Sequence, residues 1–183
     1  NTVHLRSPEP LEAALGRVRD HGGKVLSESI AIPAGRFAYC LDPDGNSIEA
    51  VLVEREDAVP VGSIDHMWVR VRDPQSSRRF YTTIAPHAGL RVAHEEPDHV
   101  QLCGPDYSFS LVRDERPLTE HVHLAFPARD NATVRAFHAA AIAAGYEDNG
   151  APGERPVYHP GYYGAFMLDP DGHNIEVVNH NRG

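Results

Sequence analysis

The chain predicts an α+β fold built from repeated β-α-β-β-β units, and three observations lead there. The first is an internal repeat: Val3-His4-Leu5 returns as Val122-His123-Leu124, Asp42-Pro43-Asp44-Gly45 as Asp169-Pro170-Asp171-Gly172, and Ile48-Glu49 as Ile175-Glu176. Self-similarity of this kind marks repeated supersecondary units. The second is a change of hydrophobic period inside each copy, from 2 to 3.6 and back to 2, which reads strand, helix, strands. The third is a middle segment with the same order of elements, so the chain holds three units. The two offsets, 119 and 127 residues, differ by eight, so the last copy is longer between its histidine and its DPDG turn. Most of the excess falls in Glu147–Tyr163, which is expected to be a long functional loop.

In the first copy the helix runs over Leu11–His21, with Leu11, Ala14, Leu15 and Val18 inward and Gly22-Gly23 ending it. Ser47–Val53 is the closing strand. Glu54–Ser63 is charged, contains proline and reads as a linker. In the middle unit Ile64–Val71 is a strand and Asp73-Pro74 starts a helix, an N-cap followed by proline at the first helical position. That helix runs through Arg79-Phe80-Tyr81 towards Ile84. Short strands follow at Leu90–Ala93, His99–Leu102 and Ser108–Val112. In the last copy His121–Pro127 alternates, with Val122, Leu124 and Phe126 on one face. Asp130 caps a helix that runs to Gly145 with Val134, Phe137, Ala141 and Ile142 as its apolar stripe. Gly164–Leu168 and Asn174–His180 are strands joined by the DPDG turn.

Composition removes several classes of function. With 41% hydrophobic and 23% charged residues the chain is globular rather than disordered. No apolar run approaches the roughly 20 residues of a spanning helix. A net charge of −9 argues against a nucleic-acid partner, which needs clustered Lys and Arg. Cys40 and Cys103 form neither a disulfide framework nor a cysteine zinc site, and a reducing cytoplasm is the expected compartment. Twelve histidines direct attention to metal or acid–base chemistry.

Residues two apart on a strand share a face. His66 lies with Trp68, and His121 with His123 opposite the apolar set. Asn174, Glu176, Val178 and His180 lie together. If the apolar faces pack on helices, His66, His123 and Glu176 look into the concavity of a curved sheet. Two imidazoles and one carboxylate are the ligand set of an open iron, zinc, manganese or nickel site. His121 competes with His123 for that role, and His180 lies two residues beyond Glu176. A lone strand histidine is more often simply packed or exposed.

Ile64-Asp65-His66-Met67-Trp68-Val69-Arg70-Val71, Asp73, Arg79-Phe80-Tyr81, His123-Leu124-Ala125-Phe126 and Phe166 to Glu176 together resemble the vicinal oxygen chelate superfamily of glyoxalases, extradiol dioxygenases, and fosfomycin and bleomycin resistance proteins. The resemblance implies paired βαβββ units whose curved mixed sheet forms a cup round one divalent ion, and it selects His66, His123 and Glu176 as ligands. It also implies that residues 63–183 are a complete module and residues 1–55 the second half of another, joined by a linker at 56–62. The missing half of that first module would be absent or supplied by another chain, so a homodimer is expected. His4 and Glu49 match two ligand positions in the first copy.

Glyoxalase-type members place an acidic fourth ligand where this chain has Ser110, and no Asp or Glu lies on that strand. The extradiol signature is matched by His159, DPDG and Glu176, but Phe166 stands where that signature has a tyrosine. A phenylalanine cannot donate to a bound oxygen. Tyr158, Tyr162 and Tyr163 are alternative sources of a hydroxyl. His159, Tyr162 and Tyr163 are the candidate catalytic residues, and Trp68, Ser110, Arg155, Tyr158 and Phe166 the candidate substrate contacts. The expected function is a metal-dependent lyase, isomerase or dioxygenase-like enzyme that chelates a small oxygenated substrate. The alternative is a non-catalytic protein that sequesters an antibiotic in the manner of bleomycin resistance.

Overall fold

The computed structural model describes residues 2–7, 10–32, 35–53 and 64–181. They fall into two compact units, Asn1–Val69 with Asp106–Ser110, and Arg70–Pro105 with Leu111–Gly183. The expected linker at 56–62 lies outside the described residues.

The first unit holds β1 (Thr2–Arg6), α1 (Leu11–Asp20), β2 (Lys24–Val25), β3 (Ile30–Ile32), β4 (Gly35–Leu41), β5 (Ser47–Val53) and nearly all of β6 (Ile64–Arg70). Its strands run in the order β2-β4-β5-β1-β6, with β3 beside β4. Leu11 and Leu15 of α1 bury against Ala38, Cys40 and Ala50, with Val18, Val25 and Ile48 packed around them. The period-2 alternation of β5 therefore sends Ile48 and Ala50 towards the helix and Glu49 to the other face. β1 is parallel to β5 and antiparallel to β6. The register sets the Cα of His4 opposite Glu49 on one side and opposite His66 on the other.

The second unit begins with α2 (Pro74–Ala88), then β7 (Arg91–Glu96), β8 (His99–Cys103) and the end of β9 (Ser108–Val112). It continues with β10 (His123–Pro127), α3 (Asn131–Ala143), β11 (Glu147–Glu154), β12 (Tyr163–Leu168) and β13 (Asn174–Asn179). Both helix starts follow from their caps: Asp73 accepts from the Gln75 amide and Asp130 from the Thr133 amide. α2 passes through Pro86 and stops only at Gly89, which is left-handed at φ 66°. A proline so close to the end costs a single ladder bond, which explains why the helix outruns the expected stop near Ile84. β7 likewise runs three residues past Ala93, paired to β8. On α3 Val134, Phe137 and Ala141 are buried as expected, but Ile142 is 43% exposed and lies off the stripe.

The last four strands run β10-β13-β12-β11, parallel between β10 and β13 and antiparallel beyond. The expected loop Glu147–Tyr163 is thus half strand. Its first eight residues form β11, and only 155–162 turn back to β12. Ala165 and Met167 of β12 and Ile175 and Val177 of β13 are buried, while Gly164, Phe166 and Glu176 take the opposite face.

Both DPDG turns close alike. Gly45 and Gly172 sit at φ 86° and 84° and donate to Asp42 and Asp169, whose carboxylates accept from Asn46 and His173 amides. In the second unit this turn is also a core element. The Tyr81 hydroxyl donates to Asp169 Oδ2 at 3.2 Å, and Asp171 accepts from the Arg72 amide. Burial raises the Asp169 carboxyl above its usual range, an effect that hydrogen bonds from His173, Asp171 and Tyr81 oppose. Tyr81→Phe removes one of these opposing bonds and raises it further. Stability lost should then be about 2 kcal/mol where Asp169 is ionised and smaller at a pH low enough to protonate it. Urea titrations at pH 7 and pH 4 check this; an equal loss at both would exclude a charged acceptor.

Candidate functional site

The second unit builds a polar centre on the face of its sheet away from the helices. Glu176 lies mid-strand on β13, between Ala125 of β10 and Phe166 of β12 in register. It is 2% exposed. Both its oxygens are engaged: the Tyr162 hydroxyl donates to Oε1 at 2.6 Å, and His123 Nε2 lies 3.0 Å from Oε2. Asn174 Nδ2 lies 3.3 Å from His123 Nδ1, and Asn149 donates to Asn174 Oδ1, so a two-amide relay orients the imidazole from behind. Burial first, then the Glu176 carboxylate, push the Tyr162 phenol well above its ordinary value, so it stays a donor. Gly164 completes the cradle: a Cβ there would lie 2.6 Å from Glu176 Oε1 and 3.3 Å from Tyr162.

The residues of this centre that could hold a divalent cation are His123 and Glu176. A carboxylate so deeply buried is costly unless positive charge or strong donors stand beside it. Here its neighbours are a neutral phenol and an imidazole whose Nε2 faces it. His123 is 49% exposed, so the open side of the pair is reachable from solvent. With Asn174 Nδ2 donating to Nδ1, the imidazole carries its proton on Nε2 towards Glu176 Oε2, so an ion bound through Nε2 would displace that proton to Nδ1 and turn the Asn174 amide.

The remaining expected site residues distribute as follows. His66, Trp68 and Ser110 belong to the first unit, where His66 Nδ1 meets Asp65 Oδ1 at 2.9 Å and Ser110 is buried. His121 is not on the strand: β10 begins at His123, and His121 sits at φ 55°, exposed. That left-handed turn breaks the face it was expected to share with His123. His159 Nδ1 approaches the Pro160 carbonyl at 2.8 Å and its Nε2 approaches His180 Nδ1 at 2.9 Å, so these two histidines pin the 155–162 turn to the end of β13. Tyr158 is 60% exposed with its ring on Tyr162. Tyr163 opens β12, half-buried. Phe166 meets the edge of the His123 ring at 6.2 Å, and the Arg155 guanidinium lies 5.6 Å from the centre of the Phe166 ring. Of the three candidate tyrosines, Tyr162 is the one bonded to Glu176. Among the described residues no group of three or more His, Cys, Asp or Glu side chains is placed to hold an ion.

Sequence reasoning placed Asn174 on the face of Glu176 without giving it a role, and missed Asn149, Gly150 and Gly164. Glycine inside a strand was the available signal, since it often marks a close approach. Among the described residues no helix is long and apolar enough to cross a membrane.

The comparisons agree with this architecture. No curated protein matches the chain. A glyoxalase/bleomycin resistance protein from Albidiferax ferrireducens is 28% identical, with 63% of this chain and 96% of that one covered and a TM-score of 0.53. Glyoxalase I from Zea mays is 20% identical over 98% of this chain and 67% of its own, with a TM-score of 0.68. Lactoylglutathione lyase from Agrobacterium tumefaciens is 20% identical over 66% and 95%, at 0.52. These last two show a shared fold. A family model matches residues 63–177, most of the chain, and the chain belongs to the Glyoxalase/Bleomycin resistance protein/Dioxygenase superfamily.

Proposed function

We propose that the protein is a metal-dependent enzyme that binds a small oxygenated substrate through two of its oxygens at a divalent ion held by His123 and Glu176. The observation that supports this reading is the buried Glu176 carboxylate, with His123 Nε2 at 3.0 Å and the Tyr162 hydroxyl at 2.6 Å. His66, the third ligand that the resemblance implies, belongs to the first unit. The ion, when bound, supplies Lewis acidity to the chelated oxygens. Tyr162 orients the carboxylate and offers the hydroxyl that Phe166 lacks. The absence of an acidic residue from β9 argues against glutathione-dependent isomerisation of methylglyoxal, and none is expected.

Titration of the purified protein with Fe(II), Mn(II), Ni(II) and Zn(II), followed by catechol binding to each form, tests the reading. One ion per chain is expected, held more weakly as pH falls and imidazoles protonate. No ion at any pH would leave the antibiotic-sequestering alternative. Tyr162→Phe should weaken the ion about 10-fold, as loss of an outer-shell partner does. An unchanged affinity would separate Tyr162 from the site.

One observation favours a second reading of the ligand set. Within the first unit His4 lies in register with both Glu49 and His66, and Glu49 is 7% exposed. An ion lost from His4→Ala and His66→Ala, but kept by Glu176→Gln, would move the centre to that row.

A further inference from the structure

We propose that Arg155 is a carboxylate-binding subsite beside the His123–Glu176 centre, so that the substrate carries a carboxylate at the end away from its chelating oxygens. The inference rests on the chelating role given above to His123 and Glu176.

The guanidinium of Arg155 is held rather than free. Nη1 donates to the Glu154 carbonyl at 3.1 Å and Nη2 to the Ala151 carbonyl at 2.8 Å, and the group lies over the Phe166 ring. Two backbone acceptors fix its orientation without neutralising it. Among the described residues no carboxylate is paired with it, although the chain carries 26 acidic residues against 17 basic ones. Guanidinium has five donors, and the two carbonyls leave three of them for a planar oxyanion.

Two glycines of β11 make room for this arrangement. A Cβ on Gly150 would lie 2.8 Å from Phe166 Cδ2, and one on Gly153 would lie 2.8 Å from Arg155 Nη1. The ring could give way only by leaving its rotamer, and Gly150 at φ 156° is strained for any other residue. The strand thus clears space for both members of the Arg155–Phe166 stack. Phe166 in turn meets His123, and the two steps of 5.6 Å and 6.2 Å bound the separation of guanidinium and imidazole at about 12 Å. Guanidinium and imidazole thus lie on either side of one ring, within the span of a single ligand that carries chelating oxygens at one end and a carboxylate at the other.

The probes are 3,4-dihydroxybenzoate and its neutral analogue 3,4-dihydroxybenzamide, titrated calorimetrically into the metal-loaded protein. These share the diol and differ in the carboxylate. The benzoate is expected to bind about 10-fold more tightly. Arg155→Met should erase that preference and leave the benzamide unchanged, and Arg155→Lys should keep part of it. Equal affinities in the unmodified protein, or a preference that survives Arg155→Met, would overturn the proposal. Unsubstituted benzoate, followed by NMR shift perturbation in metal-free protein, separates this from failure of the chelation reading. Saturable binding that Arg155→Met abolishes supports the subsite even if neither diol binds to the metal form. No Arg155-dependent benzoate binding overturns it.

Discussion

Glu176→Gln is expected to lower divalent-metal affinity about 100-fold or more while the protein stays folded. The amide keeps the size of the side chain and can still accept from Tyr162, so the 2.6 Å contact need not open. It removes the negative charge that would face the ion, and outer-shell losses alone cost 10- to 100-fold at metal centres. Stability should be affected little or even favourably, because a buried carboxylate without a full cation beside it is itself a burden. Calorimetric titration with Ni(II) reads the affinity, and thermal unfolding in the presence of a chelator reads the fold. A variant that keeps full affinity would remove Glu176 from the ligand set.

Gly164→Ala is the second large effect. Its added Cβ would stand 2.6 Å from Glu176 Oε1, well inside contact distance, and 3.3 Å from the Tyr162 ring. A glutamate carboxylate on the surface would swing aside at little cost. Here it is enclosed, with Tyr162 on one oxygen and His123 on the other, so the methyl must push it off one partner. Metal affinity should fall by about 10-fold or more, in the range of outer-shell substitutions. Because the backbone keeps its strand geometry, far-ultraviolet circular dichroism should be unchanged. Unchanged affinity with an unchanged spectrum would mean that the carboxylate has more room than its two contacts leave.

Much of this was legible in the residues. The repeat, the order of elements and the closing strand Ser47–Val53 follow from period and turn chemistry, which act locally. Parity on two strands set Glu176 against either His121 or His123, and the resemblance selected His123. What escaped depended on tertiary partners. β11 contains the run Gly150-Ala151-Pro152-Gly153, with none of the alternation that signals a strand. It pairs with β12 because its glycines accommodate Phe166 and Arg155. His121 keeps the parity of its neighbours in sequence but leaves the strand through a positive φ that no residue type there announces. Ile142 continues the apolar stripe in the sequence, yet it points away from the sheet that α3 covers. The pairing of β1 with β6 joins two units of the repeat, and alternation carries no information on which strand takes which neighbour. The selection of Tyr162 from three candidate tyrosines rested on where the 155–162 turn delivers each ring.

Crystals grown with Ni(II) and measured at the nickel absorption edge give the most direct test of the metal centre. An anomalous peak is predicted about 2.0–2.2 Å from both His123 Nε2 and one oxygen of Glu176, the ordinary range for these ligand atoms. A protein that binds one nickel ion per chain in solution, yet shows its peak away from both residues, would contradict the account.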